Sequence, residues 1–389
     1  MMVKIRIAVQ GCCHGELRQV FDKVRQLNGS SPIDLLIILG DFQSIRDEDD
    51  FQSISIPPKY RKYGDFNNYY HDDSLKPPVM TLFIGGNHES MRHLMLLPHG
   101  GYVANNIYYM GYSNVIWYRG VRIGGISGIW KKWDFYKKRP NWNYLEENCR
   151  WNDKVRELYH TRESDILPLF MMCNSINKFD IMLSHDWPNG AVYEGNVQDI
   201  LKKKPFFSRD IESRQLGSPR SWELLRQLKP RWWLSAHLHV KFEAEIKHIS
   251  KRPIKKNDDE LELQLSSDED EKDDRKEKGD GDVLQSEQTT NFLALDKCLP
   301  RRKWLEIIEV ESDESHKSYQ DQDSFFYDPH FIACLQLLRK NQPISLNNMQ
   351  YGKIPTDVDW QHYIVPRYVN GLQRQERLQT NEFEKKFFL

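Results

Sequence analysis

Long apolar runs are missing from this sequence: no window approaches the roughly 20 consecutive apolar residues that span a bilayer, so no transmembrane helix is expected. Cysteine is sparse, and Cys12, Cys13, Cys149, Cys173, Cys298 and Cys334 are scattered. The first residues carry neither the apolar h-region nor the small-residue cleavage site of a secretory signal. A reduced compartment, cytosol or nucleus, is therefore expected, with free thiols. An excess of one charge is missing too. Lys and Arg number 55 against 56 Asp and Glu, giving a net charge of -1 and a pI near 6.9. That excludes a generic polyanion binder driven by net positive charge. Any grip on nucleic acid must be local.

What is present suffices for a large core: 389 residues, 39% hydrophobic and 12% aromatic. Short apolar, β-rich runs recur at Val3 to Val9, Leu35 to Leu39, Val79 to Ile84, Val121 to Ile123, Ile181 to Leu183 and Trp232 to Leu234. Runs of this length predict strands buried on both faces. Between them, Glu16 to Leu27 spaces Leu17, Val20, Phe21, Val24 and Leu27 as a helix does, and Ser221 to Leu228 predicts a helix with Ser221 as its N-cap. Strands alternating with helices predict a layered α/β domain. From 251 to 288 the composition turns to Asp, Glu, Lys and Ser, which predicts a disordered acidic loop. Strand patterns return at Asn291 to Leu295 and Leu305 to Val310, so the loop interrupts the core. Farther on, Phe325 to Leu338 reads as a helix with Phe331, Leu335 and Leu338 on one side, while Gln373 to Leu389 has helix propensity without a clear buried face.

The metal-capable side chains fall just after the predicted strands. Cys12 and His14 sit in Gly11-Cys12-Cys13-His14-Gly15, Asp41 in Gly40-Asp41, Asn87 in Gly85-Gly86-Asn87-His88-Glu89, His185 in Ser184-His185-Asp186, and His237 and His239 in Ser235-Ala236-His237-Leu238-His239. Carboxyl ends of strands in open α/β sheets share one edge, where sites assemble. Two divalent ions about 3.5–4 Å apart need a bridging carboxylate with imidazole or carbonyl ligands on each side. Asp41 is the expected bridge. Cys12, His14 and His239 would complete one ion, and Asn87, His185 and His237 the other. Gly85-Gly86 is expected to let backbone pass close to the metals, and Cys13, pointing the opposite way from Cys12, belongs to the core.

In its order of Cys-x-His, Gly-Asp, Gly-Asn-His-Glu, His and His-x-His, the chain resembles the calcineurin-type metallophosphoesterases. Most of these carry Asp where this chain has Cys12. That substitution, with the blocks Gly11 to Leu17, Gly40 to Gln43, Ile84 to Glu89, Ala104 to Tyr109, Gly120 to Ile129, Leu183 to Pro188, Ser235 to Phe242 and Phe292 to Pro300, resembles the RNA lariat debranching family. The resemblance implies an α/β fold: a layered metallophosphoesterase β-sandwich flanked by helices, with a disordered acidic insertion and a small C-terminal helical region. It divides the chain into a catalytic domain at 1–250, the acidic loop at 251–288, returning core strands at 289–310 and a C-terminal region at 311–389. The implied reaction is hydrolysis of the 2′-5′ phosphodiester bond at the branch point of excised intron lariat RNA. In it, metal-activated hydroxide attacks phosphorus and His88 protonates the leaving 2′ oxygen. Two divalent metal ions are implied, Fe(II) and Zn(II), with Mn(II) able to substitute; a thiolate ligand favours these over Mg. Branched intron RNA is the implied partner, with no membrane, in the nucleus with shuttling to the cytoplasm.

The local basic patch lies in 127–162, where the resemblance implies the lariat recognition loop. Lys131, Trp133, Tyr136, Lys137, Arg139, Tyr144, Arg156, Tyr159, His160 and Arg162 are the candidate substrate-binding residues, pairing cations for phosphates with aromatic faces for splayed bases. Lys202 to Lys204 reads as a solvated turn. Two rivals are a phosphoprotein or small-molecule phosphatase on the same fold, and a metal-free scaffold; the insert argues against the first and the full ligand set against the second.

Overall fold

The computed structural model describes residues 3–29, 31–173, 178–248, 288–340, 344–371 and 375–389. Among the described residues, thirteen strands run in chain order: β1 Lys4–Gln10, β2 Leu35–Ile38, β3 Thr81–Phe83, β4 Gly101–Ala104, β5 Ile107–Tyr109, β6 Ser113–Tyr118, β7 Val121–Ile126, β8 Ile181–Ser184, β9 Trp232–Ser235, β10 Phe242–His248, β11 Gln288–Ala294, β12 Leu305–Glu311 and β13 Phe326–Tyr327. They form a six-stranded sheet, β12-β1-β2-β3-β5-β4, and a seven-stranded sheet, β10-β11-β9-β8-β7-β6-β13.

Alternation along each strand explains the layers. Side chains on successive residues point to opposite faces, so Ile5, Ile7 and Val9 of β1 meet Ile123, Leu183 and Leu234 of the other sheet in one central core. Ala8, Leu36 and Ile38 face outward and are covered by the Leu17–Leu27 helix, whose Leu17, Val20, Phe21 and Val24 repeat at helical spacing. The outer face of the second sheet, with Met182, Trp233 and Phe292, is covered by helices carrying Leu167, Leu224, Leu225 and Phe331. The result is helix, sheet, sheet, helix. Truncating a central residue such as Leu234 to Ala would cost about 2–5 kcal/mol.

The parallel runs β1-β2-β3 and β7-β8-β9 bring the carboxyl ends of six strands to one rim, and the loops after five of them, β1, β2, β3, β8 and β9, carry the site. The acidic segment expected at 251–288 lies outside the described residues, except for Gln288, which opens β11 opposite His248. Three sequence expectations need correction. The second helix starts at Pro219, and its N-cap is Ser218, whose Oγ accepts from the Ser221 N–H at 3.1 Å; proline fits the first helical position, where no N–H is required. The stretch from Phe325 is helical only from Pro329 to Lys340, because Phe326 and Tyr327 pair with Trp117 and Ile116 as an edge strand. The Glu376–Phe388 helix does bury a face, with Glu376, Phe383 and Phe387 inward.

Candidate metal centre

The loops that leave β1, β2 and β9 turn sharply, and the backbone records it. His14, Asp41, His237 and His239 all have φ between 49° and 61°, the left-handed region that L residues enter at a cost of about 1–3 kcal/mol each. Four such residues at one rim aim their side chains inward. Gly86 and Gly40 supply clearance: a Cβ on Gly86 would lie 2.3 Å from Asp41 Oδ1, and one on Gly40 2.3 Å from His185 Nδ1. Gly85 is different, since its Cβ would make only ordinary contacts from 3.4 Å. Close approach therefore applies to Gly86 and not to Gly85.

The ligand atoms of Cys12, His14, Asp41 and His239 lie within 4.8 Å of one another. His14 Nε2 stands 3.1 Å from His239 Nε2 and 3.7 Å from Asp41 Oδ2. Around the other oxygen, His185 Nε2 lies 3.5 Å from Asp41 Oδ1 and 3.2 Å from Asn87 Oδ1, and the His237 ring is 5.1 Å from that of His185. Asp41 thus stands between two groups of donors, and Cys12, His14, Asn87, His185, His237 and His239 lie around it at one rim.

The charge state of these groups suits cations. Burial lowers the pKa of His14, takes that of His185 down to about 4 and, with His14 nearby, that of His239 down to about 3. These imidazoles are neutral at pH 7 and offer lone pairs. Burial opposes ionisation of Asp41, but His185, His14 and His88 outweigh it and hold the carboxyl well below the usual range. Burial and then Asp41 push the Cys12 thiol well up. Asp41 Oδ2 is buried with no hydrogen-bond partner among the described residues. His185 Nδ1 donates to the Leu39 carbonyl at 2.6 Å, so its Nε2 lone pair faces the Asn87 and Asp41 oxygens with no proton between them. Facing acceptors in a buried site repel one another unless a cation lies among them, so the donor set fits two divalent ions.

His88 is held apart from the ligands. Its backbone N–H donates to Asp41 Oδ1 at 2.9 Å, and its Nδ1 donates to the Ser55 carbonyl at 3.0 Å. Its ring lies 5.6 Å from that of His14, and Nε2 is left as the nitrogen available to a substrate.

Sequence reasoning missed the groups behind the ligands. Glu89 is buried and accepts the N–H groups of Phe42 and Gln43 at 2.8 Å and of Gly86 at 2.9 Å; burial, then Asp41, raise its pKa to about 7. It ties the Asp41 loop to the Asn87 loop. Arg46, five residues past Asp41, is buried against Asp50 at 2.9 Å and Glu376 at 3.4 Å. Glu376 also meets His93 Nε2 at 3.0 Å, while His93 Nδ1 donates to the Ser44 carbonyl at 2.8 Å. The Gly-Asn-His-Glu block contained Glu89 in plain view; nothing local marked Glu376.

The insert divides in two. Trp133 (74% exposed), Tyr136 and Tyr144 present aromatic faces to solvent, and Lys131, Lys137 and Arg156 are exposed. Lys137 pairs with Asp134 at 2.8 Å, and Tyr159 is half-buried. Three expected contacts are instead engaged inside. Arg139 is paired with Asp165 at 2.6 Å and lies 4.0 Å from the Tyr112 ring centroid. Arg162, 1% exposed, donates to the Asp134 and Glu157 carbonyls, and His160 Nδ1 meets Asp134 Oδ2 at 2.7 Å. These three hold the insert together.

Two family models match the chain: calcineurin-like phosphoesterase over residues 5–241, and lariat debranching enzyme, C-terminal domain, over 287–383. The second extends the likeness well past Pro300, where the last quoted sequence block ends. The lariat debranching enzyme of Saccharomyces cerevisiae is 54% identical over 413 aligned positions that cover 99% of this chain and 100% of that protein. Those of Schizosaccharomyces pombe and Homo sapiens are 41% and 43% identical, over 89% and 82% of this chain. The matched positions make up 80% of the former protein and 52% of the latter, so the chain spans about half the human protein's length. With its ligand order, its Cys12 and its C-terminal region all accounted for, the chain belongs to the lariat debranching enzymes, within the calcineurin-like phosphoesterases.

Proposed function

We propose that the chain is a metal-dependent hydrolase that opens the 2′-5′ phosphodiester bond at the branch point of intron lariat RNA, and that His88 is its general acid. The observation that carries the reading is Asp41 standing between two donor groups, with His88 beside it but bonded to a carbonyl. Cys12, His14 and His239 would hold one ion, Asn87, His185 and His237 the other, and Asp41 both. Ions so held supply positive charge to the phosphoryl oxygens and acidify an attacking water toward neutral pH.

The remaining work falls to the chain. A departing ribose 2′ oxygen is a poor leaving group and needs a proton. Ser55 fixes the His88 ring through Nδ1, and Nε2 then delivers that proton to the 2′ oxygen. Products are a free 2′ hydroxyl and a 5′ phosphate on the released strand. Lys131, Lys137 and Arg156 hold phosphates, while Trp133, Tyr136 and Tyr144 stack on bases. The donor set, one thiol among imidazoles, suits Fe(II) and Zn(II), with Mn(II) able to substitute, and a nuclear location with shuttling to the cytoplasm is the reading that accords with this substrate.

The test is hydrolysis, without oxygen, of a synthetic 2′-5′ branched RNA beside linear RNA and a phosphopeptide, with Fe(II), Zn(II) or Mn(II) supplied separately. Cleavage confined to the branch is expected. Equal rates on linear RNA or phosphopeptide, or an intact branch with every metal, would overturn the proposal.

A further inference from the structure

The insert borders one side of the metal centre only. Gly128 N–H donates to the Gly85 carbonyl at 2.8 Å and Trp130 N–H to Asp186 Oδ2 at 3.1 Å, which places the insert against the Asn87 and His185 loops. On the Cys12 side the neighbour is the turn between β11 and β12. Cys298 N–H donates to the Cys12 carbonyl at 3.0 Å, and Gly11 N–H to that of Trp304 at 2.9 Å.

That turn is basic, and its acids are already matched. Asp296 is held by Arg302 at 3.1 Å. Among the described residues, none forms an ion pair with Lys297, Arg301 or Lys303. The 191–206 segment lies alongside: Gly195 bridges to Ala244 of β10, and β10 pairs with β11, which runs into the turn. Here Lys203 is paired with Asp199 at 2.6 Å, whereas Lys202 and Lys204 have no such partner among the described residues. Burial lowers the Lys204 pKa and Asp296 raises it, while Arg302 and Lys297 lower it further, as expected of cations gathered on one surface. Phe206 follows, 70% exposed, with Lys204 Nζ 5.7 Å from its ring centroid and with the buried Phe207 ring anchoring it at 4.6 Å. An exposed aromatic ring among unpaired cations is a stacking platform for single-stranded nucleic acid.

We propose that Lys202, Lys204, Phe206, Lys297, Arg301 and Lys303 form a second RNA track, which carries an arm of the branched substrate away from the Cys12 side while the insert holds another arm at the Asn87 side. The inference rests on the branched-RNA reading. A branch point has three strands leaving one nucleotide, and a single recognition loop on one flank leaves the opposite strand unsupported. The turn at Lys202 to Lys204 is thus a phosphate-facing element rather than a solvated one.

The test measures binding by the metal-loaded His88→Ala protein, in which arms can be read without turnover. Two fluorescent branched RNAs are compared, one with arms of about ten nucleotides and one trimmed to a single nucleotide per arm. Lys204→Ala with Phe206→Ala, and separately Arg301→Ala with Lys303→Ala, are expected to weaken the long-armed RNA about tenfold and to flatten its salt dependence. The trimmed RNA should bind as before. Unchanged affinity for the long-armed RNA, or equal losses on both RNAs, would overturn the track. Failure of the unmutated protein to cleave a branch is a separate result and bears on the function above.

Discussion

The ligand rim and the 127–162 insert meet at Gly85 and Asp186 yet are built by opposite means. At the rim, specificity is in the backbone: four residues in left-handed conformation, two glycines that clear space, and buried carboxylates that leave few backbone groups free to move. In the insert, short helices such as Lys132–Phe135 and Trp142–Glu147 carry the exposed rings of Trp133 and Tyr144, while Arg139, His160 and Arg162 are fixed by internal partners. The contrast teaches that chemistry here depends on placement within tenths of an ångström, whereas recognition needs only a surface of the right charge and flatness.

The largest effect should follow from breaking the rim at its shared carboxylate. Asp41→Asn is expected to abolish metal uptake and debranching together, read by metal analysis and branched-RNA hydrolysis; full metal content would contradict the bridging role. His88→Ala should keep the metals and lower turnover by about 10²–10⁴-fold, and unchanged turnover would remove His88 as the acid.

Next comes the division within the insert. Lys131→Ala, Lys137→Ala and Trp133→Ala combined should raise KM about tenfold with kcat and melting temperature nearly unchanged. Arg139→Ala should instead destabilise the fold by about 3–5 kcal/mol, because Asp165 is left as a buried uncompensated charge; denaturant unfolding separates the two. The smallest effect concerns the tie behind the rim. Glu376 is held down to about 2 from its usual 4.5: burial opposes this, and His93 and Arg46 outweigh it. A carboxyl with a depressed folded pKa contributes stability above the unfolded value and loses it as pH falls through the folded one. The wild type should therefore shed on the order of 2–3 kcal/mol between pH 4.5 and 2 through this group. Glu376→Gln should flatten that slope, and an identical acid profile would discount the tie.

Much of the rim was legible because each ligand is announced locally, by a strand run that ends in glycine and a donor. The two sheets were legible in part: β2, β3, β8 and β9 are short, mainly apolar runs and β1 sets Ile5, Ile7 and Val9 at alternate positions, but β4, β5 and β6 carry Tyr, Asn and Trp that blur the pattern. Composition marked the insert as basic without showing which cations were spent on Asp134 and Asp165. The helix cap was misplaced by one turn because Ser218 and Ser221 both satisfy the residue preference. Only three-dimensional pairing could reveal Glu376.

That pairing sets an order of events during synthesis. Arg46 and Glu376 are 330 residues apart in the chain, so at about 5–20 residues per second the ribosome delivers the second roughly 15–65 s after the first. Until then the segment following Asp41 lacks the carboxylate that Arg46 and His93 share. Asp50, four residues from Arg46, is made almost at once and holds that guanidinium from the start, so the late carboxylate completes the tie behind the rim and does not begin it.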